Sequence, residues 1–197
     1  GENITDGLQN VLIGYRAGYT GTSPDGSIGI GYRALYNNTA NYNIAIGYDA
    51  GFAITSGTSN TIIGYQSGTA LTTSGNNVAI GYDSFKSAVD ACNSNVAIGV
   101  QAMTSVDRGS NGSSTVNGNI AIGYNALVGG DFDSLDRDLV GNIAIGKNAL
   151  DATVANSQTG TIAIGHEALT ALTSGDGNTA IGYQAMKDNT TGAQNTA

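Results

Sequence analysis

The sequence predicts an all-β protein, a parallel β-roll or β-solenoid of about ten coils, and three observations carry that prediction. A pentad close to Asn-Ile-Ala-Ile-Gly occurs ten times in 197 residues, and an eleventh begins at Asn195. Its Ile-Gly pair closes every complete copy, from Ile13-Gly14 to Ile181-Gly182, at intervals of 17, 16, 17, 17, 18, 24, 23, 19 and 17 residues. Self-similarity at a short period marks one structural unit stacked on itself, and helix-pair repeats need more than about 30 residues per unit. A unit of this length fits one short strand and a return segment.

The pentad is the strand. Position two is mostly β-branched (Val11, Ile28, Ile44, Thr61, Val78, Val96, Ile120, Ile143, Ile162, Thr179), and position four is always Ile. With a strand period of two, both project from one face. They are expected to stack as two aliphatic ladders inside the roll, each buried side chain contributing about 1.5–3 kcal/mol. Position three then points the other way, although it is small or apolar throughout. A strand with one wet face should be polar there. Ala45, Ala79, Ala97, Ala121, Ala144, Ala163 and Ala180 are therefore candidates for a contact between several copies of the chain packed around an axis.

Gly at position five suits a bend or a conformation closed to other residues. Position six carries Tyr15, Tyr32, Tyr48, Tyr65, Tyr82, Tyr124 and Tyr183, with Val100, Lys147 and His166 as exceptions. Such a row reads as packing in preference to a sugar platform, and His166 as one of its structural members. Position seven is polar, position eight is Ala or Ser, and position nine is often Leu, Met or Phe. Asn opens eight of the ten pentads. Asn tolerates unusual backbone angles, and its amide can satisfy turn groups, so an asparagine ladder without a ligand role is expected.

Asn-x-Ala-Ile-Gly followed by x-x-Ala resembles the head repeats of trimeric autotransporter adhesins. The longer form, Asn178-Thr179-Ala180-Ile181-Gly182-Tyr183-Gln184-Ala185-Met186, resembles repeats of bacteriophage tail-fibre proteins. The resemblance covers nearly the whole chain. It implies a left-handed roll, three chains along a fibre axis, and a place on a virion fibre or cell surface. The adhesin repeat is shorter, so the extra residues here are expected to bulge outward or to form an added turn.

Composition narrows the function. The seven basic residues are scattered singly in a chain of net charge −8, which supplies no footprint for nucleic acid and no attraction to an anionic membrane. No apolar run reaches the length of a transmembrane span. Cys92 is the single cysteine and reads as a small half-buried loop residue. Residues 1–197 form one repeat domain, expected to be a segment of a longer fibre protein.

Two intervals are long, and insertions in solenoids project as loops that commonly carry binding. Residues 104–118 are polar and include Arg108. Residues 128–141 include Asp131, Phe132, Asp133, Asp136, Arg137 and Asp138. These seven residues are the candidate ligand contacts, with a cell-surface glycan or protein receptor as the partner. Four aspartates suggest calcium, yet the third acidic residue is displaced from EF-hand spacing and the Gly and Glu of that loop are missing. No cofactor is expected. The two glutamates, Glu2 and Glu167, are far apart, and no nucleophile motif stands out, so no catalytic residue is assigned. The reading is a non-catalytic fibre segment for surface attachment or receptor binding. The alternative is a purely structural spacer or surface filament. A polysaccharide-degrading fibre and an ice-binding solenoid, which needs regular threonine rows, fit less well.

Overall fold

The computed structural model describes residues 3–88, 90, 92–106, 114–130, 138–153 and 157–197. Among them there is no helix. Each pentad contributes one three-residue strand made of its positions two to four: β1 (Val11–Ile13), β2 (Ile28–Ile30), β3 (Ile44–Ile46), β4 (Thr61–Ile63), β5 (Val78–Ile80), β7 (Val96–Ile98), β9 (Ile120–Ile122), β11 (Ile143–Ile145), β13 (Ile162–Ile164) and β14 (Thr179–Ile181). Four two-residue strands, β6 (Cys92–Asn93), β8 (Val116–Asn117), β10 (Leu139–Val140) and β12 (Gln158–Thr159), lie just ahead of the pentads in the later coils.

The ten pentad strands form one sheet in the order β1-β2-β3-β4-β5-β7-β9-β11-β13-β14, and the short strands form a second in the order β12-β10-β8-β6. All pairings are parallel, and equal pentad positions face each other, as in Val78↔Val96, Ala79↔Ala97 and Ile80↔Ile98. The expected β-solenoid architecture is thus present, and every repeat position becomes a column. The long intervals leave this register intact: Ile98 pairs with Ile122 across the first, and Ile122 with Ile145 across the second.

The facing of the strand is the reverse of the expectation. Position three points inward: Ala45, Ala79, Ala97, Ala121, Ala144, Ala163 and Ala180 are fully buried within their own chain. They are not surface contacts for another copy. Positions two and four face outward, and Val11, Ile13, Ile46, Ile122 and Ile181 remain 36–60% exposed. The physical reason is room. The inside of the coil must also hold position eight and position nine, with Leu35, Phe85, Met103, Leu127, Leu150 and Leu169 all buried there. A strand facing those side chains across so thin a coil has space for Ala and none for a row of Ile.

Volume is shared between positions three and nine. Where position nine is Gly18 or Gly68, position three is Leu12 or Ile62, and a Cβ on those glycines would lie 2.7 Å from Leu12 Cδ1 or 3.0 Å from Ile62 Cδ1. Where position three is Gly29, position nine is the buried Leu35. Filling both sites would overpack the coil, which typically costs about 1–3 kcal/mol. Gly at position five answers a different need. Gly47 has φ +142°, and a Cβ there would meet the carbonyl oxygen of Gly64 at 2.3 Å.

Asparagine at position one forms the expected ladder. Asn60 shows the full pattern: its backbone N–H and Nδ2 donate to Asn43 Oδ1 at 3.0 and 3.1 Å, and Nδ2 also donates to the Ser74 carbonyl at 2.9 Å. Its own Oδ1 accepts the same two bonds from Asn77, at 3.0 and 3.1 Å. Both amide protons and both oxygen lone pairs are used, which removes the penalty of burying the amide. Ser27 interrupts the column, and Asn38 supplies the lost amide by donating to the Ala40 carbonyl and accepting from Asn43 Nδ2 at 3.0 Å. Thr161 interrupts it without such repair, since its buried Oγ1 has no partner.

Two measurements test this core. Thr161→Asn should raise stability by about 1 kcal/mol, read from the denaturation midpoint, because it completes the amide column. Ala121→Arg should destabilise by more than about 3 kcal/mol, because it buries a charge in the chain's own interior. An Ala121→Arg chain that melts like the wild type would show that the alanine column is not the core.

Candidate functional site

The outward side of the roll holds the groups free to meet another molecule. Beside the Val/Ile face, position six forms a tyrosine stack. Ring centroids of Tyr15, Tyr32, Tyr48, Tyr65 and Tyr82 follow one another at 5.3, 4.8, 5.2 and 5.2 Å, with interplanar angles of 6–17°. Stacking of this kind contributes about 0.5–1.5 kcal/mol per pair beyond area burial. Within the stack the ring faces are covered by neighbouring rings, and the five side chains remain exposed. The packing role expected for this row is met in these five rungs.

Position seven lies next to it in left-handed backbone, as at Arg33 (φ 52°), Asp49 (φ 54°) and Asp83 (φ 52°). Beyond it runs a second aromatic column, Tyr19–Tyr36–Phe52, with centroids 5.2 and 5.0 Å apart. Arg33 fills the space between the two columns. Its guanidinium carbon lies 5.1 Å from the Tyr32 ring and 4.8 Å from the Phe52 ring. Its Nε and Nη2 donate to the two carboxylate oxygens of the buried Asp49 at 2.8 and 2.6 Å. The second column escaped sequence reading because Tyr19, Tyr36 and Phe52 fall four residues after position six in only three coils.

The later coils replace rings by charges. Lys147 Nζ sits 6.0 Å from the Tyr124 ring centroid. His166 stacks on Tyr183 at 5.5 Å, consistent with a structural member of the row. Glu167 accepts from Gln184 Nε2 at 2.8 Å and pairs with Lys187 Nζ at 3.1 Å. These two contacts hold the Glu167 carboxyl below its usual range, and the hydrogen bond to Glu167 holds Lys187 above its own. Neighbouring Asp151 is shifted the other way. Burial pushes its carboxyl up, opposed by a hydrogen bond from Thr170 Oγ1 at 2.7 Å.

Of the seven loop residues expected to contact a ligand, Arg108, Asp131, Phe132, Asp133, Asp136 and Arg137 lie outside the described residues. Asp138 is described and is engaged in the fold. Its Oδ1 accepts from the Thr115 N–H at 2.9 Å, and its own N–H donates to Ser157 Oγ at 3.0 Å. Cys92 is fully buried, deeper than expected. Among the described residues no three His, Cys, Asp or Glu side chains gather as a metal site, and no helix is long and apolar enough to cross a membrane.

Asp151 gives a pH test. Its raised value means that the proton is held more tightly in the fold than in the unfolded chain. The associated stability is complete below the ordinary aspartate range and is lost as pH rises through the raised value. Asp151→Asn should therefore raise the melting temperature at about pH 7 and give no gain at about pH 3.

No protein-family model, no curated protein and no solved structure matches the chain.

Proposed function

We propose that this chain is a non-catalytic segment of a trimeric fibre that extends and presents a surface for attachment or receptor binding, as in a bacteriophage tail fibre or a similar adhesin. One observation supports it above the others. A folded coil leaves an aliphatic face along ten strands, Ile at position four throughout and Val or Ile at position two except Thr61 and Thr179, with Ile13 and Ile181 about 60% exposed at its two ends. Apolar patches that run the length of a protein mark association surfaces. The notion of several copies around an axis survives the reversal of the strand, with positions two and four in place of the alanines. The count of three, the left-handed path and the location on a virion fibre or cell surface follow from the repeat resemblance.

The ladders argue against catalysis, because their repeated side chains are engaged in stacking and hydrogen bonding. A plain spacer would share all of this architecture and differ only in showing no attachment.

Sedimentation of the isolated chain tests the assembly. The wild type should run as a trimer, and Ile122→Arg with Ile145→Arg should give a folded monomer of 19.8 kDa. A wild-type chain that stays monomeric at all concentrations would remove the fibre reading. Attachment of the trimer to target cells, with the two long loops shortened or intact, separates display from spacing.

A further inference from the structure

Two rungs of the position-six column carry no ring, Lys147 and Val100, and only Val100 is apolar. Val100 occupies position six between Tyr82 and Tyr124, and the three side chains are 50, 43 and 47% exposed in that order along the chain. Their coils are consecutive, since β5 pairs with β7 and β7 with β9. The backbone holds the rungs at regular height: Gln101 N–H donates to the Tyr82 carbonyl at 2.9 Å, and Asn125 N–H to the Val100 carbonyl at 3.2 Å.

A valine side chain ends at its γ-carbons, where a tyrosine ring begins. Beyond Val100 the two neighbouring rings are therefore separated by two strand spacings, roughly 10 Å. Half of that, about 5 Å on each side, is the distance at which Tyr65 and Tyr82 already stack, 5.2 Å. The gap thus matches one six-membered ring. It is also where Tyr82 and Tyr124 meet a coil with no ring in their column. Tyr82 has Tyr65 on its other face, and Tyr124 has Lys147 over its ring.

The rim is polar. Gln101 lies beside the gap, Asn125 one coil beyond it, and Asp83 one coil before. Asp83 is 7% exposed, and its Oδ1 is buried with no hydrogen-bond partner, while Oδ2 takes Lys86 Nζ at 3.0 Å. An anionic guest would meet the Asp83 carboxylate in a chain of net charge −8. A pyranose offers C–H faces to two π-systems and hydroxyls to the amides of Gln101 and Asn125 on the rim.

We infer that the Val100 rung, between the faces of Tyr82 and Tyr124, is a binding slot for a single pyranose ring of an oligosaccharide. The inference deepens the display role proposed above by naming a ligand class and a site on the ladder itself.

The test uses the full chain and saturation-transfer NMR with three probes, cellotetraose, chitotetraose and a galactose tetrasaccharide, alongside p-cresol as an aromatic control. At least one saccharide should bind the wild type. Val100→Tyr, which completes the stack, should keep the fold and weaken that saccharide by about tenfold or more, while Val100→Ala should retain it. Tyr82→Leu and Tyr124→Leu should each weaken it similarly, and they carry the test should Val100→Tyr fail to fold. Unchanged binding in Val100→Tyr and in both leucine variants, preference for p-cresol, or binding of no saccharide would overturn the inference. Sedimentation of Val100→Tyr keeps the two readings apart: a trimer that has lost its sugar supports both, whereas a trimer whose binding is unaltered overturns the slot alone.

Discussion

The constraint on which everything else rests is the spacing of parallel backbone from coil to coil. Registered pairing places each residue about 4.8 Å from its own counterpart in the next coil, so a residue type succeeds in a column only if it tolerates itself at that distance. Asparagine does, because its amide offers two donors and two acceptors that interlock with those of its neighbours. Tyrosine does, because flat rings stack. Glycine at position five does, because a Cβ would strike the next coil's carbonyl. Charges do not, because like charges at that spacing repel, and this accounts for a charged content of only 11%. Where charge appears, adjacent coils answer it, as Asp49 answers Arg33 and Gln184 and Lys187 answer Glu167.

The same constraint explains why the inside is built from small residues. Each coil is a narrow loop of chain, and one or two large side chains per coil nearly fill it. They come from position nine in most coils, from position three in those of Leu12 and Ile62, and from Ile54 in the coil of Ala45 and Gly51. The surplus hydrophobicity of the strand is then displaced outward, onto the Val/Ile face. A single chain is consequently well packed inside and apolar outside. The first property gives a fold, and the second gives a reason to associate.

Much of this was legible in the residues. The intervals between Ile-Gly pairs announced the coils, the recurring Asn announced the amide ladder, and the persistence of pentads across the long intervals announced an unbroken sheet. Strand facing was not legible, because Val-Ala-Ile is apolar on both sides and alternation carries no information when neither face is polar. The choice was made by volume across the coil, a relation between positions three and nine that a strand-by-strand reading does not weigh. The apolar ring-free rung was visible as Val100 in a row of tyrosines. Its meaning was not, because only the stacking distances show that ring faces are covered everywhere else along those five rungs. The second aromatic column and Arg33 between the columns depended on left-handed backbone at a non-glycine residue, which composition does not signal.

The sharing of space between positions three and nine has one more consequence. Leu12 reaches into the next coil, where a Cβ on Gly29 would lie 2.8 Å from its Cδ2. A coil is therefore matched to its successor as well as to itself. Near-identical repeats in a gene invite unequal crossing-over, which adds or deletes whole units. In this chain such events would be filtered by steric grammar. The duplication of an Ala-bearing coil beside another of its kind is readily accommodated, whereas moving the Leu12 coil next to an alanine coil requires the Leu12 side chain to shift. The order of the coils is thus inherited as a set of compatible neighbours, and lengthening of the rod is channelled into its most uniform stretches.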